Sequence, residues 1–216
     1  PALRLLAQLA TLLTLATAAT ASTPSLSAVR PMGGQRGTDV EVVFSGARLG
    51  DAQEVLFYQP GVTATEITKV DDNSFKAKVK IAADSPLGFH DLRVRTATGV
   101  SELRGFSVGA MPEVKEAEPN NDFEAPQAIA MNVVVNGVAE NEDIDYFVVE
   151  AKKGNRIAAE VEGWRLGITL FDPHVAILNT KRFELTSSDD AALLWQDAFA
   201  SVVAPEDGKY IVAVRE

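Results

Sequence analysis

The sequence predicts an all-β fold built as two tandem β-sandwiches, and three observations lead to it. Apolar and polar residues alternate in short runs, as at 74–81, where one face of a strand would be buried and the other wet. Turn-forming residues separate these runs, as at 59–61 and 71–73. The length of 216 residues suits two domains of roughly a hundred residues each.

The first predicted sandwich spans residues 24–110. Roughly seven strands at this spacing are typical of an immunoglobulin-like fold. Its turn residues resemble those of the IPT/TIG domain at Pro31-Met-Gly-Gly34, Gly37-Thr38, Gly46-x-x-Leu49 and Pro86-x-Gly88. The resemblance implies a domain that binds protein or carbohydrate, and the family's DNA-binding branch does not suit an exported, near-neutral domain. The lysines at 76, 78 and 80 are interpreted as the solvated face of a strand.

A linker at 111–117 is predicted from Pro112 and a shift in charge, and a second sandwich follows at 118–216. One helical turn could form within 123–130. The predicted strands of this part lie at about 133–138, 144–151, 155–162, 174–179, 199–204 and 209–215.

An oxygen-rich stretch at the start of the second domain suggests a metal site. Calcium takes roughly 6–8 hard oxygen ligands from carboxylates, amides and backbone carbonyls. Two of the carboxylates, at 143 and 145, would share one face of a strand. The candidate ligands are Glu116, Glu118, Asn120, Asn121, Asp122, Asp143 and Asp145. The alternative is a polar linker in which these side chains only stabilise turns.

Residues 116–216 resemble the bacterial pre-peptidase C-terminal domain. The matching residues are Glu118-Pro-Asn-Asn121, Ala125, Ala128-Ile129, Asn136-Gly137, Asp143-x-Asp145-Tyr-Phe147, Gly154, Asp172-Pro173, Asp189-Asp190 and Gly208-Lys-Tyr210. The resemblance implies a secreted, jelly-roll-like β-sandwich, often located beside peptidases. Because the family pattern normally continues with at least one more strand, it also implies a strand beyond Glu216, so that this sandwich is truncated and has an open sheet edge. Some members of that family bind Ca²⁺ through the acidic N-terminal linker and a later Asp, which implies a calcium site here as well.

Charge and composition exclude several classes of function. Residues 113–216 carry 20 Asp and Glu against 9 Lys and Arg, a net charge of −11, which argues against binding to nucleic acid. The absence of cysteine excludes disulfides, Cys-ligated zinc and a Cys nucleophile. Residues 1–21 have the pattern of a signal peptide, with Arg4, an apolar stretch and Ala19-Thr-Ala21 before Ser22. We therefore expect an exported protein that meets the membrane only through this segment.

No catalytic motif is present. The chain lacks a zincin motif, a nucleophile elbow and a P-loop, and its two histidines, His90 and His174, are interpreted as structural. The expected function is that of non-catalytic binding or spacer modules whose partner is a protein or polysaccharide of the cell envelope or extracellular matrix. One alternative is the ancillary region of a larger secreted hydrolase. Another is a carbohydrate-binding module that uses exposed aromatics, although Trp164 and Trp195 are expected to be residues of the core or its rim, with burial favoured over exposure.

Overall fold

The computed structural model describes residues 23–139, 143–167 and 171–216. The predicted signal peptide lies outside these residues. No helix within them is long and apolar enough to cross a membrane. Their regular elements are one 3₁₀ turn, Trp164–Leu166, and the strands β1 (Ser25–Arg30), β2 (Gly33–Gln35), β3 (Asp39–Ala47), β4 (Ala52–Phe57), β5 (Val62–Lys69), β6 (Ser74–Ile81), β7 (Gly88–Thr96), β8 (Arg104–Gly109), β9 (Glu113–Lys115), β10 (Gln127–Ala128), β11 (Val134–Asn136), β12 (Ile144–Ala151), β13 (Arg156–Glu160), β14 (His174–Asn179), β15 (Glu184–Ser188), β16 (Phe199–Val203) and β17 (Gly208–Arg215).

Strands β1 to β8 form two four-stranded sheets, ordered β1-β3-β6-β5 and β2-β8-β7-β4. All pairs are antiparallel except β2 with β8. Alternate residues of β6 are buried, as the pattern at 74–81 predicts. They join one core in which the rings of Phe44 and Phe75 stack with centroids 4.7 Å apart. The lysines at 76, 78 and 80 lie at the surface. Lys76 forms an ion pair with Glu41, and Lys78 forms one with Asp39.

Strands β9 to β17 form one five-stranded sheet and two separate pairs. The large sheet has the order β10-β12-β17-β14-β15, and the pairs are β9–β11 and β13–β16. A second core cluster includes Val149 and Tyr210 of the large sheet and Ile157 and Ala200 of the β13–β16 pair. The last strand, β17, lies between β12 and β14 and is therefore central in its sheet. The all-β fold is confirmed, while the particular sandwich types and the domain boundaries stay predictions.

The predicted helical turn within 123–130 is wrong. Residues 123–125 form a turn, and Gln127–Ala128 forms the short strand β10, which pairs in parallel with β12. The carboxylate of Asp122 accepts the N–H of Glu124 at 2.9 Å, and this local bond favours a turn over a helix. The segment therefore runs beside β12 and brings the oxygen-rich stretch against that strand.

Candidate metal centre

The oxygen-rich segment 116–122 is fixed to its surroundings through backbone hydrogen bonds. The N–H of Glu116 donates to the carbonyl of Asn136 at 3.0 Å, continuing the parallel pair of β9 with β11. The carbonyl of Asn120 accepts the N–H of Tyr146 at 2.9 Å, at the edge of β12. Because of these contacts, the segment is brought together with β12 although more than twenty residues separate them in the chain.

Three carboxylates converge in this segment. Glu116, Glu118 and Asp145 each present a carboxylate oxygen, and the three oxygens lie within 4.8 Å of one another. Glu116 is half-buried, Glu118 is exposed and Asp145 is only 4% exposed. Like charges this close repel one another unless a proton or a cation compensates them.

Asn120 organises the group from within and is only 1% exposed. Its Nδ2 donates to Oε1 of Glu116 at 3.0 Å, and its backbone N–H donates to Oε2 of Glu118 at 3.0 Å. Its Oδ1 is buried and has no hydrogen-bond partner among the described residues, and the same holds for Oδ1 of Asp145. A buried acceptor without a partner costs about 1–3 kcal/mol, so both oxygens suit a ligand that accepts electron pairs.

The electrostatics of the group are concentrated on Asp145. Burial raises the pKa of its carboxyl from the ordinary 3.8 to about 7, and the neighbouring charges of Glu116, Asp143 and Glu118 add to that rise. The polar side chain of the neighbouring Asn120 opposes the rise of this pKa. The folded protein therefore holds a proton on Asp145 up to neutral pH, at the place where a cation would make the ionised carboxylate favourable.

The other three predicted ligands are exposed or bind neighbouring backbone N–H groups. Asn121 and Asp122 are exposed, and Asp122 caps the turn at Glu124. Asp143 accepts the N–H of Ile144 at 2.9 Å and is not one of the three converging carboxylates. One carboxylate oxygen of Asp122 and one of Asp143 accept the N–H of a nearby residue, as the turn-stabilising alternative predicts. The structure thus brings together Glu116, Glu118, Asn120 and Asp145.

Gly137 and Val138, which lie beside the Glu116 carboxylate, were not among the predicted site residues. The N–H of Val138 donates to Oε2 of Glu116 at 2.8 Å. A Cβ atom on Gly137 would lie 2.5 Å from the same oxygen, closer than real Cβ contacts. The Asn136-Gly137 pair was visible in the sequence, but only the fold shows that the missing side chain leaves room for a carboxylate.

Gly137→Ala is therefore expected to displace the Glu116 carboxylate and to weaken calcium binding at least tenfold. The added methyl group overlaps Oε2 and the carboxyl carbon, which is 2.7 Å from the same Cβ position. Gly208→Ala is the matched control, since a Cβ there meets nothing within 4 Å. Calcium affinities of the two variants, measured by titration calorimetry, provide the comparison, and equal affinities would contradict this role for Gly137.

The expected burial of the tryptophans is wrong for Trp195, which is 70% exposed. It lies in a loop that also exposes 97% of Leu193, and both residues have positive φ angles. Successive tight turns, from Leu194 to Ala191 and from Asp197 to Leu194, hold the loop away from the core. Trp164 is half-buried, as expected for a residue at the rim of the core.

The two histidines have no serine or carboxylate partner within the described residues. His90 is buried, and its Nε2 lies 2.8 Å from the carbonyl of Pro86. His174 is half-buried at the start of β14. These surroundings give neither imidazole an oriented nucleophile, and the non-catalytic assignment stays a prediction.

Comparison with known proteins identifies no family. No family model matches the chain, and no curated protein matches it. The solved structures that are similar include the Yersinia pseudotuberculosis adhesin InvE, with 14% identity and a TM-score of 0.31 over 88% of this chain and 50% of that one. They also include the Bacteroides ovatus mixed-linkage glucan utilization locus SGBP-B in complex with a mixed-linkage heptasaccharide, with 10% identity and a TM-score of 0.30 over 84% and 37%. The chain spans half or less of both structures, and superpositions this loose carry no conclusion about function.

Proposed function

We propose that the chain is a calcium-stabilised, non-catalytic binding module of an exported protein, related to the pre-peptidase C-terminal domain. The single observation that supports this most strongly is the convergence of the Glu116, Glu118 and Asp145 carboxylates. The buried Oδ1 atoms of Asn120 and Asp145, which have no hydrogen-bond partner among the described residues, add to this support. The all-β fold, with loops projecting from rigid sheets, suits binding. The signal-peptide pattern at 1–21 supports export.

The donor set fits calcium better than other common metals. It consists of oxygen atoms alone, with no imidazole or thiolate, and such sites favour hard cations. Three carboxylates and the side-chain oxygen Oδ1 of Asn120 would hold the ion. Carboxylates can bind Ca²⁺ through one or two oxygens. Magnesium demands a stricter octahedral geometry and usually keeps several waters, so a cluster of protein oxygens favours calcium.

A bound cation would supply charge compensation and no chemical step. It would neutralise the repulsion among the three carboxylates and give Oδ1 of Asn120 and Oδ1 of Asp145 a partner. Because Glu116 directly follows β9 and Asp145 lies in β12, the ion would tie the end of the predicted linker to the large sheet. The proposed role is therefore to hold the start of this region in place so that its surface can bind a partner.

The test is thermal unfolding of the full chain with calcium, with magnesium and with chelator. Calcium is expected to raise the melting temperature, because a ligand at 100 times its Kd adds about 2.7 kcal/mol to the free energy of unfolding. Magnesium at the same concentration is expected to give a smaller rise. Identical melting curves in calcium and in chelator would refute the proposal.

A second candidate function is polysaccharide binding through Trp195. Its 70% exposure favours this, because an indole face can stack on the C–H face of a sugar ring, whereas a buried Trp cannot. The acidic charge of residues 113–216 would favour a neutral glycan on this loop. Loss of polysaccharide binding in a Trp195→Ala variant would support this candidate.

A further inference from the structure

A groove lies on the large sheet, on the face opposite the second core cluster. Cross-strand register places Ile144, Arg215 and His174 in one row and Tyr146, Ala213 and Ala176 in the next. Because neighbouring residues of a strand point to opposite faces, these two rows share one face, and the core residues Val149, Val175 and Tyr210 occupy the other. The side chains of both rows line a cavity of about 180 Å³.

The floor of the groove is apolar and one wall is aromatic. Ile144, Ala176 and Ala213 lie along the floor. Phe123 follows the candidate metal segment and packs edge-on against Tyr146, with centroids 5.5 Å apart. Tyr146 is half-buried and lines the groove. The groove therefore offers an apolar surface beside the hydroxyl group of Tyr146.

The rim of the groove carries cationic groups in a strongly acidic part of the chain. Arg215 lies directly opposite His174 across the β14–β17 pair. Arg182 forms another part of the rim, with its guanidinium 4.4 Å from the centre of the Phe123 ring and a 3.1 Å ion pair to Glu124. Arg215 forms no ion pair with any described residue. Arg182 and Arg215 both line the groove, together with one carboxylate, that of Glu184. Because Arg215 has no ion pair among the described residues, its guanidinium is free to bind an anionic ligand.

We propose that this groove binds a hexuronate unit of an acidic polysaccharide. The inference rests on the proposed function as a binding module and names its ligand class. A uronate ring combines an apolar C–H face for the floor, a carboxylate for Arg215 and Arg182, and hydroxyl groups for Tyr146 and for the carboxylate of Glu184, which also lines the groove. A simple inorganic anion would leave the apolar floor unused. The cavity of about 180 Å³ is of the size of one sugar ring.

The test is calorimetric titration of the full chain with tetrasaccharides of galacturonate, glucuronate and mannuronate. The buffer contains sodium and no calcium, because uronate oligomers bind calcium themselves. Each tetrasaccharide is compared with its methyl ester, which keeps the ring and removes the charge. We expect at least one acid form to bind, its ester to bind at least tenfold more weakly, and raised salt to weaken the binding of the acid form.

Variants locate the binding on the protein. Arg215→Gln and Arg182→Gln are each expected to lower the affinity at least tenfold. The control Arg156→Gln removes an exposed arginine of β13 that does not line the groove and is expected to leave the affinity unchanged. The proposal is overturned if no acid form binds, if the esters bind equally well, if poly-glutamate binds and uronates do not, or if only Trp195→Ala abolishes binding. A negative result here leaves the calcium melting curves unaffected, so the two proposals can fail separately.

Discussion

Asp145→Asn is expected to stabilise the calcium-free protein above pH 7 and to abolish its response to calcium. The amide is neutral and nearly the same size, so it removes the repulsion with Glu116 and Glu118 while filling the same space. It also offers N–H donors to those carboxylates. The same substitution removes a charged ligand from the proposed calcium site, and the two effects therefore have opposite signs.

The pH dependence follows from the raised pKa of Asp145. The pKa is 3.8 in the unfolded chain and about 7 in the folded one, so the folded state binds more protons between these values. The free energy of unfolding therefore falls as the pH rises from 4 to 7, and the loss is complete above 7. At about 1.36 kcal/mol per pKa unit, the upper limit of this loss is about 4 kcal/mol. The advantage of Asp145→Asn should disappear near pH 4.

Urea unfolding followed by tryptophan fluorescence measures this effect. Both tryptophans of the chain, Trp164 and Trp195, lie in the same half as the site, so their emission reports on that half alone. Asp122→Asn is the matched control, because Asp122 is exposed and stands outside the converging group. It should retain the calcium response. An Asp145→Asn protein that is less stable than the parent at pH 8 without calcium would contradict this account.

Asp197→Ala is expected to lower the free energy of unfolding by about 3–5 kcal/mol, as when one partner of a buried ion pair is removed. Asp197 is 0% exposed and pairs with the side chain of Arg165. Its Oδ1 also accepts the N–H groups of Gly163 at 3.0 Å and Trp164 at 2.6 Å. The substitution leaves these backbone donors and Nε of Arg165 without their acceptor, while the guanidinium keeps its 2.6 Å ion pair to Glu160.

The same fluorescence-monitored unfolding tests Asp197, because Trp164 lies in the turn that it holds. The exposed Asp189, eight residues earlier in the chain, provides the control, and Asp189→Ala should change the free energy by no more than about 0.5 kcal/mol. Equal effects of the two substitutions would show that the buried carboxylate does not stabilise this region.

Periodicity predicted the strands that are buried on one face. The predicted bounds 144–151 and 174–179 agree with β12 and β14. Alternate residues of each strand pack into one core, Val149 and Ala151 from β12 and Val175 and Ile177 from β14. Strand β15 was missed, since Glu184-Leu-Thr-Ser-Ser188 has one apolar residue and forms the edge of its sheet. The two-residue β10 is too short to show any period, and only its parallel pairing with β12 defines it.

The sequence indicated the chemistry of the candidate site but not which residues form it. Oxygen-bearing side chains at 116–122 and 143–145 are visible in the sequence, whereas their convergence depends on non-local contacts such as the Asn120–Tyr146 hydrogen bond. The space beside Gly137 likewise exists only once β9 and β11 are paired. The size and apolar character of Trp195 led to the prediction of burial, but the turns around it direct the side chain outward.

Calorimetric titration of the full chain with calcium at pH 7.5 tests the central claim most directly. We predict saturable binding with one ion per chain for the parent protein, and no measurable binding for Asp145→Asn. Absence of heat with the parent protein, or the same isotherm for both proteins, would contradict the claim that Glu116, Glu118, Asn120 and Asp145 form a cation site.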